Sequence, residues 1–382
     1  MPKAFVAGTG LTKISEHWDK NLEQLMAEAA IKALEDAGIS ALNSIYVGNM
    51  LGEVLQEQAH LGTLLAEEIG LVGVPAYRVE AAEASGAAAL YAGVLDILSG
   101  GSDAVLVVGG EKLSDGLAEE VSSALMMSQR QEYEGFIGAE FYSLNALLYK
   151  LYIKRYGNGD GVAMFPVISH EHAAGVAHAQ YPFKLNLEKV LSSPFVAEPL
   201  RRMEISGIGD GAAAIVLISE RLAEKIKSPK TEIYAASATD YLTPFERENP
   251  LRFQSLSMAV NKVLNISKVD RDRIDFVELH DATSIMAAIS MESSGFAEAG
   301  QAAKLVKRGE YGLNGSLPCN TFGGLKARGH PIGATALYQV SEAHLQLTGQ
   351  AGKNQIDSAE IGLTQSLGGV AATAFVTLMK KV

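Results

Sequence analysis

A single cysteine, Cys319, among 382 residues leaves no partner for an intrachain disulfide and no thiolate cluster for a metal. No run of about 18 apolar residues occurs, so no membrane-spanning helix is expected. The opening MPKAFVAGTGLTK lacks the long apolar stretch and cleavage site of a secretory signal, and a cytoplasmic location is the expectation. Positive charge is also scarce. Lys and Arg number 32 against 44 Asp and Glu, giving a net charge of -12, the wrong sign for a general grip on nucleic acid. The histidines form no HxxxH or HExxH pair. His170 and His172 are two apart and fall on different faces of a helix, so no metal site is expected.

What is present is material for a large core: 48% hydrophobic and 20% charged residues. The length suggests roughly two domains or two fused halves. Strand-like runs alternate with helix-like stretches, the pattern of an α/β protein. KAFVAGTGL, SIYVGNML, PAYRVEA, DAVLVVGGEKL and GAAAIVLISE read as strands of a first half. EIYAASATDYL, DFVELHDAT, EIGLTQSLGG and AATAFVTLMKKV read as strands of a second half in the same order. Two βαβαβαββ halves of this kind predict a five-layer α-β-α-β-α sandwich. The Ala- and Gly-rich helices after Glu83 and after His330 belong in its middle, where only short side chains fit between two sheets. The first half comprises residues 1–113 plus 203–225, and the second residues 226–382. Residues 114–202, richer in helix, Met and Tyr, break the repeat. They read as an inserted lid or, equally, as a subunit-contact arm.

Ligands of α/β sheets gather beyond the carboxyl ends of the strands. Four loops fall there: AAEASG, LHDAT, GGLKARGHPIGAT and TQSLGG. His330 is fixed between Gly329 and Pro331, with a helix expected to begin just after it and offer its dipole to an anion. Its alternative role is to cap that helix. His280 suits an oxyanion donor or acid/base group, or a histidine satisfied by a nearby carbonyl. Asp281 is expected to cap the next helix. In TQSLGG, Ser366, Gly368 and Gly369 suit either an oxyanion hole or a plain tight turn. Cys319 reads as a packed small hydrophobe.

RVEAAEASGAAAL, VLVVGGEKL, PLRRMEISGIGDGAAAIVL, VELHDAT, GGLKARGHPIGAT and TQSLGGVAATAFV, taken in order, resemble the thiolase superfamily over nearly the whole chain. The likeness is nearest to the archaeal and sterol-carrier-protein type. It implies the thiolase fold and an acyl-CoA substrate or ligand with no separate cofactor. It also implies at least a homodimer or homotetramer, and complexes with an OB-fold acyl-CoA-binding protein and a hydroxymethylglutaryl-CoA synthase. By resemblance, His330 is the histidine that activates a nucleophilic cysteine, and His280 helps bind the thioester oxygen. Arg201 and Lys326, with Lys184, Arg202 and Arg328, are candidates for the phosphates of CoA; they are equally ordinary surface charges.

The departure lies at the nucleophile: Glu83 stands where such relatives carry the reactive cysteine. The positions of their second cysteine read Thr364 and Ala282, and MEIS lacks the cysteine that often precedes its Ser. A carboxylate attacking a thioester gives a labile anhydride, so ordinary thiolysis or condensation is expected to be lost or altered. Three readings stay open. Glu83, held ionised by a helix dipole and by imidazolium at His330, acts as base in enolate chemistry such as decarboxylation or retro-aldol cleavage. Or the chain is a catalytically silent subunit or scaffold of an acyl-CoA-processing complex. Or the glutamate is an engineered change.

Overall fold

A computed structural model describes residues 2–382. Its strands are β1 (Ala4–Leu11), β2 (Ser44–Gly48), β3 (Ala76–Val79), β4 (Ala104–Glu111), β5 (Phe195–Ala197), β6 (Leu200–Arg201), β7 (Gly211–Ser219), β8 (Thr231–Thr239), β9 (Phe276–Glu278), β10 (Ile361–Gly368) and β11 (Thr373–Lys381). Apart from the small β5–β6 hairpin they lie in the order β3-β2-β4-β7-β1-β8-β11-β10-β9. Read outward from the centre, the halves match: β1, β7, β4, β2, β3 on one side and β8, β11, β10, β9 on the other. In each, the inner pairings are antiparallel and the outer ones parallel. The second-half counterpart of β3 is reduced to a bridge between Val277 and Cys319.

The two sheets implied by the repeat are joined along one edge. Ala4, Phe5 and Val6 pair with Ile233, Glu232 and Thr231. The layers follow from strand periodicity. Val105 and Val107 of β4 face a middle core, with Leu90 and Val94 of the Ser85–Ser99 helix and Leu337 and Val340 of the Thr335–Leu347 helix. Leu106 and Val108 face an outer core beneath the Leu22–Ala37 helix. A third core packs the far face of the second-half sheet against the Gln254–Ser267 and Ser284–Ser293 helices. The inserted helices Phe141–Tyr156 and Phe165–Ala173 add to it. Each large apolar side chain fully buried in these layers contributes roughly 1.5–3 kcal/mol.

Local signals set the helix ends. Asn21 accepts from Gln24 N at 2.9 Å while Gln24 Oε1 accepts from Asn21 N at 3.1 Å, a reciprocal cap for the Leu22–Ala37 helix. Gly38, at φ +66°, ends it. Among the described residues, no helix is long and apolar enough to cross a membrane.

Three glycines of the first half crowd against Gly333 of the second. A Cβ on Gly86, at the start of one central helix, would lie 2.3 Å from the Gly333 carbonyl oxygen, just before the other. A Cβ on Gly109 would meet the same oxygen at 2.3 Å, and one on Gly48 would meet Gly86 Cα at 2.4 Å. The neighbours are backbone, so nothing can rotate aside. Gly86→Ala is expected to cost about 1–3 kcal/mol by overpacking. Denaturant unfolding should show a lower midpoint, and an unchanged midpoint would mean the helices have slack.

Candidate active site

β3 runs into a tight turn, Glu80 to Ala84, and then the Ser85–Ser99 helix. Ser85 Oγ braces the turn by donating to Ala82 O (2.6 Å) and accepting from Ala81 N (3.0 Å). The last loop lies directly on it: a Cβ on Gly368 would be 2.6 Å from Ala81 O. Glu83 is buried, and its Oε2 accepts from Gly369 N at 2.6 Å. The carboxylate therefore bonds a backbone amide of the opposite half. Burial pushes its pKa up, opposed chiefly by that amide.

His280 ends β9. Its Nδ1 accepts from Leu367 N at 3.3 Å, which places the proton on Nε2 in the neutral ring. That Nε2 is buried without a partner. His330 stands nearly perpendicular to it, with ring centroids 5.2 Å apart, and its Nδ1 lies 2.7 Å from Thr335 Oγ1. Burial, then His280 and Arg328, depress the His330 pKa well below 6.5. Both rings are neutral at pH 7, so the imidazolium expected to hold Glu83 ionised is not available. The dipole expectation changes too: a 3-10 turn, Ile332–Ala334, separates His330 from the helix that begins at Thr335.

Glu83, His330, Ala282 and Ile332 line one chamber of about 40 Å³. Tyr142, Ser206, Gly207 and Ile208 also line it, and the same four line an outer cavity of about 550 Å³. Buried Ser366 has a hydroxyl without a partner. Most of the expected loop is strand: Ser366 and Gly368 belong to β10, and only Gly369 lies in the turn that follows.

With this geometry in hand, known proteins give a family. Residues 4–143 match the description "Thiolase, N-terminal domain", and residues 236–381 match "Thiolase C-terminal domain-like". An acetyl-CoA acetyltransferase from Methanothermobacter thermautotrophicus is 37% identical over 98% of this chain and 99% of its own. The chain belongs to the thiolase family. Sterol carrier protein 2 from Homo sapiens is 30% identical over 99% of this chain and 72% of its own. Two solved structures share the fold. One titled "Ltp2-ChsH2(DUF35) aldolase" has a TM-score of 0.85 at 20% identity, covering 99% of this chain and 98% of its own. The Syntrophomonas wolfei acetyl-CoA acetyltransferase has 0.76 at 18%, covering 100% and 99%.

Within this thiolase fold the candidate basic residues part company. Arg328 is fully buried, with Nη1 2.7 Å from Glu342 Oε2, and His178 Nε2 lies 2.8 Å from Oε1 of the same carboxylate. A guanidinium so enclosed is not a phosphate ligand. Arg201 donates to Ser193 O at 2.8 Å and stacks on Phe195 at 3.9 Å, and Lys184 is exposed. Lys326 and Arg202 line the outer cavity. Asp281 does not cap the following helix. It accepts from Leu325 N (2.7 Å) and Ser169 Oγ (3.2 Å), and Thr283 makes the cap to Met286 N. Cys319 is buried in the third core, as expected of a small hydrophobe.

The sequence reading missed Tyr142, which walls both chamber and cavity, and Glu111. The latter, fully buried at the end of β4, accepts from Met50 N (3.1 Å), Leu51 N (2.9 Å) and Gly333 N (3.1 Å). A carboxylate closing an apolar strand was the visible signal. Burial holds the His280 pKa down at about 3, with Arg328 adding to it. A histidine lowered in this way contributes stability in full above its ordinary value of about 6.5 and loses it as pH falls toward the folded value. Thermal unfolding from about pH 7 to about pH 4 should therefore show a shallower acid decline in His280→Asn than in the parent. Parallel profiles would mean that His280 is not held neutral.

Proposed function

We propose that this chain binds an acyl-CoA thioester and performs enolate chemistry on it, with Glu83 as base and without a covalent acyl-enzyme. The observation that supports this is the convergence of Glu83 and His330 on one chamber, with the unpartnered Nε2–H of His280 in ring contact with His330. Burial raises the Glu83 pKa, and a carboxylate lifted from its ordinary value is a stronger base for a carbon acid near neutral pH. Gly369 N–H anchors one carboxylate oxygen and leaves the other for the substrate proton. Glu83 takes a proton from the α-carbon, and the electron pair moves onto the thioester oxygen. The His280 N–H receives that oxygen. His330, neutral and tied to Thr335, is the second proton carrier.

This reading revises the role expected of the last loop. The Gly369 amide is engaged by Glu83, so the oxyanion falls to His280. Decarboxylation and retro-aldol cleavage both pass through such an enolate. The structural neighbour's title names an aldolase together with a DUF35 component, which supports looking for a partner chain here. The small chamber favours a second reading, a silent subunit that binds acyl-CoA or a partner and catalyses nothing. An OB-fold protein and a hydroxymethylglutaryl-CoA synthase are the partners to test for either reading, alongside self-association into a dimer or tetramer.

Incubation of the protein with acetyl-CoA in heavy water separates the two. Enolate chemistry predicts deuterium at the α-carbon, seen by mass spectrometry, and a rate lower by about 10²–10⁴-fold in Glu83→Gln. Calorimetric binding without exchange supports the silent subunit. Thiolysis of acetoacetyl-CoA should be absent or very slow in the parent, because no thiolate is present, and should gain measurable rate in Glu83→Cys. Robust thiolysis by the parent would overturn the assignment of Glu83.

A further inference from the structure

Two cations meet in the outer cavity, and no carboxylate lines it. Arg202 is exposed, at its mouth, while Lys326 is only 7% exposed. Among the described residues Lys326 has no carboxylate within ion-pair distance; its ammonium lies 5.7 Å from the centroid of the Tyr181 ring. An enclosed lysine whose ammonium faces a cavity without a counter-charge leaves a cation free to meet an anion there.

The turn that carries it is rigid. Lys326 sits in the π-helical turn Gly324–Arg328. Leu325 N is fixed to Asp281, and the carbonyls of Ala327 and Arg328 accept from Tyr181 N (3.0 Å) and Gln180 N (2.8 Å). The stem of Lys326 is thus held by its own backbone, with its head left at the cavity wall. The opposite charge nearest in effect is Asp281, which already serves Leu325 and Ser169. Burial brings Lys326 down to about 8, with Asp281 opposing and Arg202 assisting. The remaining polar ring on the wall is neutral: burial, then Lys326, lower the His170 pKa to about 4.

We propose that Lys326 receives a carboxylate at the end of the ligand's acyl chain, so that the cavity selects dicarboxylic acyl thioesters over neutral ones. The inference rests on the acyl-CoA reading above. It favours the acyl chain over the CoA phosphates on grounds of place. Lys326 lies four residues before His330, a separation that the backbone limits to about 14 Å. The phosphates of CoA lie at the far end of the long, neutral pantetheine arm, whereas the carboxylate of a short acyl chain lies a few bonds from the thioester carbonyl. The exposed Arg202 at the mouth is the cation suited to attracting phosphate.

The test compares butyryl-CoA with succinyl-CoA, four-carbon chains that differ by a terminal carboxylate, by titration calorimetry. Succinyl-CoA should bind about tenfold tighter or more. In Lys326→Met the ratio of the two affinities should fall to near one, and Lys326→Arg should keep most of the preference. Equal affinities in the parent overturn the proposal. So does a Lys326→Met variant that weakens both ligands alike, which would place Lys326 on the CoA phosphates. If neither thioester binds, succinate alone decides: binding lost in Lys326→Met keeps the carboxylate site and discards the thioester reading, and no succinate binding discards both.

Discussion

How closely two helices can approach between two sheets governs the rest of this molecule. The loops before Ser85 and Thr335 carry Glu83 and His330, and their separation is set where Gly86, Gly333, Gly48 and Gly109 touch through bare backbone. Any side chain at this crossing would push the halves apart and open the chamber between them. Glu111 reinforces the crossing, since its carboxylate collects amides from the loop after β2 and from Gly333. A side chain of one half is thereby hydrogen-bonded to the entrance of the other half's central helix. Short side chains along both helices are the sequence expression of the same constraint.

Charge buried beneath the chamber sets its protonation. Arg328 and Glu342 form a fully buried pair, with His178 on the second carboxylate oxygen. Such a pair adds little net stability, because desolvation offsets much of the attraction. Its effect reaches the two site histidines: Arg328 pushes both away from protonation, after burial has done most of it. The result is two neutral rings in contact, one of which shares the chamber with a carboxyl group whose pKa is raised. A site built to make a thiolate gains from an imidazolium beside it. A site that takes a carbon-bound proton with a carboxylate has no use for that ion pair, which would only weaken the base.

The fold was legible because its signals are periodic and repeated. Alternation within β4 and the reuse of one strand order in both halves need no knowledge of contacts. The four loops were legible because strand ends in an α/β protein gather ligands. Individual side chains were harder. Lys326 and Arg328 are two apart on one turn, and as letters they are equivalent; only the π-helical path sends one to the cavity and the other into the core. Asp281 looked like a cap because Asp caps helices, yet the next residue but one, Thr283, has the extended backbone a cap requires. The partner of Glu83 is 286 residues away in sequence, and no local rule points to it.

The bond from Gly369 to Glu83 links these observations. By its sequence the last loop suits either an oxyanion hole or a plain tight turn. Here the Glu83 side chain occupies one of that loop's amides itself. A glutamate is longer than a cysteine, and across a chamber of about 40 Å³ that extra length is enough to reach the facing loop. A glutamate at this turn therefore does two things at once: it offers no thiol and it engages a donor. A donor engaged in this way orients the carboxylate, and the loss is made good only if another donor points at the same space. His280 carries a candidate donor, its Nε2 unpartnered and its ring against that of His330, which lines the chamber, and a hydrogen-bond donor buried without an acceptor is costly unless a ligand supplies one. That cost favours a chamber kept in working order for a carbonyl oxygen over one left behind by decay.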